Sequence, residues 1–351
     1  MDNTINEPLV SILMPVYNAE IYISGTIDNI LNQTYTNFEF LIFNDGSNDR
    51  SAETITSYAD DRIKFYHTDN NLGYVKHLNE GIQLAKGKYI ARVDADDLYH
   101  KDKLKLQVEF LEKNPDYGLC GTWYKTFDAA GTIQNIQLPT CNDDIKIQLL
   151  SNNPFGHPTV IIRKEILLNF NLKYNHSLIP AEDYKLWVEI SRKTKMVNLN
   201  QYLTYYRLHE NQISNRKNSI QKGLANDIRI KQIENLLSRS ITEEEQQLTH
   251  LLFNLTITDD HETLKVFRWA NILEIANKNL KIYNETKFRQ CLKKMTSYRI
   301  LFFKNFSIKR LILVRKEISM LSAGSKIKFL MKCILHLDEG KIFGKMRSIK
   351  S

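Results

Sequence analysis

Cysteine is scarce in this sequence and follows no pattern. Cys120, Cys141, Cys291 and Cys333 are scattered through 351 residues. They show neither the close spacing of a metal site nor the density of a disulfide scaffold, and they read as free thiols in a reducing compartment. Long apolar runs are missing too, since none reaches the ~18 residues of a membrane-spanning helix. The opening stretch MDNTINEPLV has no basic segment followed by an apolar one, so no secretory signal is expected there. Neither a P-loop nor a G-x-S-x-G elbow occurs, and no Ser/His/Asp cluster is evident. Internal repeats and low-complexity tracts are absent. The remaining composition, 42% hydrophobic and 10% aromatic, belongs to a soluble globular chain rather than a disordered one. The length allows two or three domains.

Charge is present in excess but unevenly. The chain carries a formal +8. Residues 291–351 alone hold 15 Lys/Arg against Glu317, Asp338 and Glu339, which leaves residues 1–290 mildly acidic. The basic character belongs to the tail and not to what precedes it.

The first hundred residues alternate strand-like and helix-like patterns. Leu9–Pro15, Phe38–Phe43, Arg62–His67 and Lys88–Val93 read as strands. Ile23, Ile27, Ile30 and Leu31 mark a helix after the first strand, SAETITSYA a second, and Val75, Leu78, Ile82 and Ala85 a third. This alternation predicts a mainly parallel sheet covered on both faces, with ligands bound at the carboxyl ends of its strands. Polar loops fall at those ends: Pro15-Val16-Tyr17-Asn18, Asn44-Asp45-Gly46-Ser47, the Asp69–Gly73 loop, and finally Asp94-Ala95-Asp96-Asp97. Each alone is an ordinary turn composition. A helix from about Lys101 to Lys113, with Leu104, Val108 and Leu111 buried, ends at Asn114-Pro115. Residues 116–215 mix short strands with helices, and IPAEDYKLWVEISRK opens a helix with Glu182 and Asp183 in its first turn, where acids suit the helix dipole. Tyr202–Leu208 reads as a strand. Beyond Lys217 the pattern is helical, with a capping box at Thr242–Glu245 and a further helix around Leu264, Phe267 and Ile272.

Three carboxylates within four positions repel one another and raise each other's pKa unless a cation or ligand answers them. Asp94 and Asp96 point the same way if the backbone stays extended between them. Two carboxylates together with phosphate oxygens are a usual Mg²⁺ environment. Arg92, a charge inside a buried strand, needs a partner, and Asp94 and Asp45 are the candidates.

Six stretches in order carry a resemblance: SILMPVYNAE, FLIFNDGSND, NNLGYVKHLNEGIQLAKGKYIARVDADD, GHPTVIIRKEIL, AEDYKLW and YYRLHENQIS. Over residues 8–215 the chain resembles a family 2 glycosyltransferase with the GT-A fold. The resemblance implies a Rossmann-like, mainly parallel sheet flanked by helices, followed here by a mostly α-helical C-terminal extension. It implies transfer of a sugar from a nucleotide donor to an acceptor hydroxyl or amine, with inversion and with Mg²⁺ or Mn²⁺ as cofactor. Carried onto this sequence, Pro15, Val16, Tyr17 and Asn18 lie along the nucleoside, and Asp45 accepts from the base. That places UDP-sugars first, with guanine and thymine nucleotides still open. Asn71, Gly73, Lys76 and Asn79 belong to the donor loop and its helix, with Gly73 allowing close backbone approach and Lys76 either meeting phosphate or lying solvated. Asp94, with Ala95 between it and Asp96, sits nearer the ribose. Asp96 is the main metal ligand, with Asp94 beside it, while Asp97 is ambiguous, its offered role being to cap the following helix. Asp183 matches the catalytic base and Glu182 orients acceptor or backbone. Arg207 and His209 lie near the diphosphate, with His209 as metal ligand, phosphate donor or structural residue, and His157 lines the sugar or acceptor pocket. His77 stands where the family often has a small residue.

The expected organisation is a nucleotide-sugar-binding half (1–115), an acceptor-binding half (116–215) and a basic helical extension (216–351). Two other classes fit a similar sheet: a nucleotidyltransferase, which usually has glycines where PVYNAE has none, and a non-catalytic nucleotide- or glycan-binding module. In KIKFLMKCILHL, Ile327, Leu330, Met331 and Ile334 share a helical face with Lys328 and Lys332 off it, so peripheral contact with an anionic membrane is expected. An ordinary helical cap is the alternative. No nucleic-acid motif accompanies the charge. A cytoplasmic enzyme, peripheral at the inner membrane and acting on glycan or lipid-linked glycan in surface polysaccharide or lipopolysaccharide synthesis, is the resulting expectation.

Overall fold

A computed structural model of the protein describes residues 7–209, 218–254 and 260–300, with Gly324, Ile327 and Leu330 beyond them. The chain divides into two units, Met1–Ala225 and Asn226–Ser351.

The first unit is built on one sheet. Strands β1 (Val10–Val16), β2 (Phe38–Asp45), β3 (Ile63–Thr68) and β4 (Tyr89–Arg92) run parallel in the order β3-β2-β1-β4. Continuous apolar runs suit strands covered on both faces, and all eight residues of β2 are buried. On one face Ile12, Met14, Phe40 and Ile42 pack against Ile23, Ile27 and Ile30 of helix α1 (Ile23–Leu31). The core continues to Leu104, Val108 and Leu111 of α4 (Lys103–Lys113), and between these two helices come α2 (Ser51–Thr56) and α3 (Tyr74–Leu84). On the other face Val75, Leu78 and Ile82 of α3 are buried, and a side chain added at Gly81 would stand 2.9 Å from a Leu13 methyl. That close approach is why the middle of this helix holds a glycine.

The expectation of a mainly parallel sheet describes these four strands. Beyond β4 the sheet is mixed. Strand β5 (Leu98–Tyr99) is antiparallel to β9 (Lys195–Arg207), and β8 (Ile161–Arg163) is antiparallel to both β4 and β6 (Tyr117–Phe127). β6 also pairs antiparallel with β7 (Ile133–Ile136) and parallel with β9. β9 begins well before the strand read at Tyr202, because Met196 and Val197 are also core residues. Helices α5 (Asn142–Gln148), α6 (Lys164–Asn169) and α7 (Glu182–Ile190) complete this part.

Helix α8 (Asn218–Leu237) crosses the division between the units. The second unit continues with α9 (Glu243–Phe253), α10 (Asp260–Leu280) and α11 (Glu285–Ile300). The capping box is formed: the Glu245 N–H donates to Thr242 Oγ1 at 3.2 Å and the Thr242 N–H to Glu245 Oε2 at 2.9 Å. Leu252, Phe267, Trp269, Leu273 and Phe288 bury its centre. Of the expected basic face, Met331, Ile334, Lys328 and Lys332 lie outside the described residues, while Ile327 and Leu330 are helical and exposed. Among the described residues no helix is long and apolar enough to cross a membrane.

Candidate active site

The carboxyl ends of β1, β2 and β4 form one rim, and loops stitch it together. After β1, the Asn18 N–H donates to Ser47 Oγ at 3.0 Å, and Asn18 Oδ1 accepts the Asn48 N–H at 2.9 Å. Asn18 takes a positive φ of 51° to do so. Pro15 is part-buried, Val16 belongs to the core and offers the rim only its backbone, and Tyr17 projects into solvent at 49% exposure. At the end of β2, Asp45 is buried. Its Oδ1 accepts the Leu72 N–H at 2.6 Å and its Oδ2 the Gly73 N–H at 2.9 Å. The carboxylate thus holds the loop before α3 in place, where Gly73 has a φ of +89°. Asn71 and Lys76 are exposed beside it. Asn79 spends its amide elsewhere: Nδ2 donates to the Tyr174 carbonyl and Oδ1 accepts the Tyr174 N–H, both at 2.9 Å.

The acids gather where β4 ends. Carboxylate oxygens of Asp94, Asp96 and Asp97 lie within 4.8 Å of one another. Asp94 pairs with Arg92, which answers the question of that strand's buried charge. Burial raises the Asp94 carboxyl, the Arg92 guanidinium opposes the rise and Asp96 adds to it. Asp97 is fully buried and held well above the usual carboxylate range, by burial first and then by Asp94 and Asp96. It does not cap α4, whose cap position is Asp102. Instead its Oδ1 accepts the Arg207 N–H at 2.8 Å, while Oδ2 has no hydrogen-bond partner. Ala95 is buried between these acids, and the Asp94 N–H donates to the Tyr99 hydroxyl at 2.7 Å.

The end of β9 closes over this cluster. Arg207 Nε donates to the Asp96 carbonyl at 2.8 Å, and its guanidinium lies over the rings of Tyr22 and Phe127 at 4.6 and 4.5 Å. His209 Nε2 meets Asp96 Oδ2 at 2.7 Å. Carboxylate oxygens with one imidazole are a donor set suited to Mg²⁺ or Mn²⁺. The unpartnered buried oxygen of Asp97 and the mutual repulsion of the three acids fit a cation there. Asp96 and His209, with Asp94 beside them, are the residues that would hold it.

A second acidic pair opens α7. Asp183 Oδ2 accepts from Asn153 Nδ2 at 2.8 Å and Oδ1 from the Tyr184 N–H at 2.6 Å. Burial raises its carboxyl, and those two donors and Arg92 hold the rise back. Glu182 is 3% exposed with Oε2 unpartnered. Burial, then Asp183, push its carboxyl to about 7, and the nearby Tyr74 hydroxyl opposes the rise. His157 Nδ1 stands 4.0 Å from Glu182, and Nε2 meets the Tyr174 hydroxyl at 3.0 Å. Burial, then Arg92, keep this imidazole well below its ordinary value. Trp187 stands edge-on to His157 and Tyr174. Arg92 therefore acts electrostatically on both acidic groups, which sequence alone separates by some ninety positions. Sequence reading missed Tyr74, Asn153 and Tyr174. Only Tyr74, directly after Gly73, sat beside a residue already singled out.

Comparisons with known proteins agree with this architecture. Residues 11–170 match the model of glycosyl transferase family 2. An uncharacterised glycosyltransferase of Haemophilus influenzae is 36% identical over 67% of this chain and 76% of its own length. The Escherichia coli UDP-Glc:alpha-D-GlcNAc-diphosphoundecaprenol beta-1,3-glucosyltransferase WfgD is 32% identical over 60% of this chain and 81% of its own. Among solved structures, residues 1–349 of S. aureus TarS with UDP-GlcNAc superpose with a TM-score of 0.54 at 18% identity, covering 84% of this chain and 91% of that one. A GT-A sheet with a helical C-terminal region, acids at its carboxyl rim and relatives of this kind make the chain a glycosyltransferase, a member of glycosyl transferase family 2.

Proposed function

We propose that this protein is an inverting, metal-dependent hexosyl- or N-acetylhexosaminyltransferase that uses a UDP-sugar and extends a glycan or lipid-linked glycan. The observation that carries the reading is the pair of acidic groups joined through Arg92, one at the end of β4 and one at the start of α7. The UDP donor and lipid-linked acceptor are supported by WfgD, whose name gives UDP-Glc and a diphosphoundecaprenol-linked GlcNAc for that relative.

In this reading residues 1–115 hold the donor and 116–215 the acceptor. The nucleoside lies along Pro15–Asn18 with its base toward Asp45 and Asn71, and the diphosphate lies at Asp94–Asp96 with Lys76 and Arg207 near it. A divalent ion held by Asp94, Asp96 and His209 supplies Lewis-acid neutralisation of the leaving diphosphate when bound. Asp183 takes the proton from the acceptor hydroxyl. That oxygen forms its bond to the anomeric carbon as the bond to phosphate breaks on the opposite face, and the configuration inverts. Glu182 orients the acceptor, and neutral His157 lines the sugar or acceptor pocket with Tyr174 and Trp187. Burial raises the Asp183 carboxyl above its ordinary value, toward the operating pH that suits a general base.

The test is UDP release from UDP-glucose and UDP-GlcNAc, with Mn²⁺ and with chelator. Turnover is expected only with metal, and Asp96→Asn is expected to lower it by about 10² or more. Turnover indifferent to chelator and to Asp96→Asn would count against the metal site.

A further inference from the structure

His77 is a buried polar residue that the reading above does not use. It lies on the face of α3 that packs on β1 and β2, is 1% exposed, and stacks on the Phe43 ring at 5.6 Å. Its Nε2 lies 2.7 Å from Asp45 Oδ1. An ionised carboxylate only accepts, so Nε2 carries the hydrogen and donates. Nδ1 makes no hydrogen bond, with Glu80 Oε2 3.7 Å away.

The consequence concerns what Asp45 has left to offer. Its side chain is 3% exposed. Oδ1 already accepts two hydrogens, from the Leu72 N–H at 2.6 Å and from His77 at 2.7 Å. Oδ2 accepts one, from the Gly73 N–H at 2.9 Å. Each carboxylate oxygen has two lone pairs, so Oδ1 is saturated and Oδ2 retains one position.

We propose that His77 is a specificity-determining residue: by closing one oxygen of Asp45, it restricts the donor to a nucleoside diphosphate whose base presents a single ring N–H, uracil or thymine, and selects against guanine. The proposal rests on the donor-site reading, in which Asp45 faces the base. Uracil and thymine present one imide N–H between two carbonyls. Guanine presents a ring N–H and an adjacent amino group, and a carboxylate satisfies both only through both oxygens. With Oδ1 closed, the guanine amino group is desolvated without an acceptor, a loss that a site built around hydrogen bonds turns into discrimination. A small residue at position 77 opens Oδ1 and leaves space beside Phe43.

Calorimetry of UDP, dTDP and GDP binding, with Mn²⁺, to the full-length protein and to His77→Ala and His77→Gln tests this. Wild type is expected to bind UDP and dTDP at least about tenfold more tightly than GDP, and His77→Ala to narrow that ratio to about threefold or less. His77→Gln, whose amide N–H reaches the position of Nε2, is expected to keep the wild-type ratio. Should circular dichroism show His77→Ala unfolded, His77→Asn, whose amide stops short of Oδ1, carries the same expectation. A merely structural histidine would weaken all three nucleotides alike, so an unchanged ratio in the small variants overturns the proposal. So does a wild type that prefers GDP or binds all three equally. A wild type that binds none of them removes the donor-site reading itself.

Discussion

Asp183 and Glu182 are neighbours in sequence with different surroundings, and the roles proposed for them differ accordingly. Asp183 is fixed by the Asn153 amide and the Tyr184 N–H, so its carboxylate has a defined direction. Glu182 keeps one oxygen unpartnered in a buried setting. Asp183→Asn is expected to lower kcat by ~10²–10⁴ while UDP binding by calorimetry stays within about twofold of wild type. A loss of binding equal to the loss of rate would remove Asp183 from the base role. Glu182 yields a stability prediction. Its carboxyl titrates at about 7 in the folded protein against an ordinary 4.5. Between those values the folded protein holds a proton that the unfolded chain has released, so stability falls as pH rises through this window. Glu182→Gln removes the penalty. Its melting temperature is expected to exceed that of wild type at pH 8, by the equivalent of about 1–3 kcal/mol, and the gain is expected to vanish near pH 4. Equal melting curves at pH 8 would show that Glu182 carries no such burden.

Elements set these side chains, and one connection between elements is unusually direct. Asn79 of α3 clamps both polar backbone groups of Tyr174, ninety-five residues away, and Tyr174 holds His157 in turn. Asn79→Ala is expected to cost about 1–3 kcal/mol by denaturant unfolding, because two buried backbone groups lose their partners. If the clamp positions the pocket wall, kcat/KM also falls while UDP affinity is kept. A variant of full stability would mean that water replaces the amide. The same connection marks the limit of what sequence discloses. The alternation of strands and helices up to Lys113, the carboxyl-end loops and the capping box at Thr242 were legible, because each is written in local periodicity or local turn chemistry. The long β6–β9 pairing, with its register shifts between Thr122 and Tyr124, was not, because register between distant strands leaves no local mark. Asp97 shows the same limit: beside a helix start it reads as a cap, yet it turns inward to the Arg207 N–H, a partner 110 positions away. Pro15–Asn18, Asp45 and Asp94–Asp97 fell on one rim because they end parallel strands; Tyr74, Asn153 and Tyr174 joined the site through tertiary packing alone.

The molecule as a whole carries its charge asymmetrically, and this bears on where its acceptor is met. The sheet-bearing part belongs to a mildly acidic stretch, whereas residues 291–351 hold 15 Lys/Arg and three acids. No described helix is long and apolar enough to cross a bilayer. A lipid-linked acceptor is presented at a membrane surface, and basic residues near an anionic surface contribute about 1 kcal/mol each, screened within a Debye length of ~8 Å at physiological salt. Only a fraction of the tail's charges needs to reach the surface for measurable attachment. The full-length protein is therefore expected to co-sediment with vesicles of phosphatidylglycerol and phosphatidylethanolamine and to remain in the supernatant with phosphatidylcholine alone. Because the attraction is electrostatic, binding is expected to drop by about tenfold or more between 0.1 and 0.5 M NaCl. Sedimentation that is equal on neutral and anionic vesicles, or that survives high salt unchanged, would assign the attachment to apolar burial. Absence of binding to either would remove the membrane reading of the basic region.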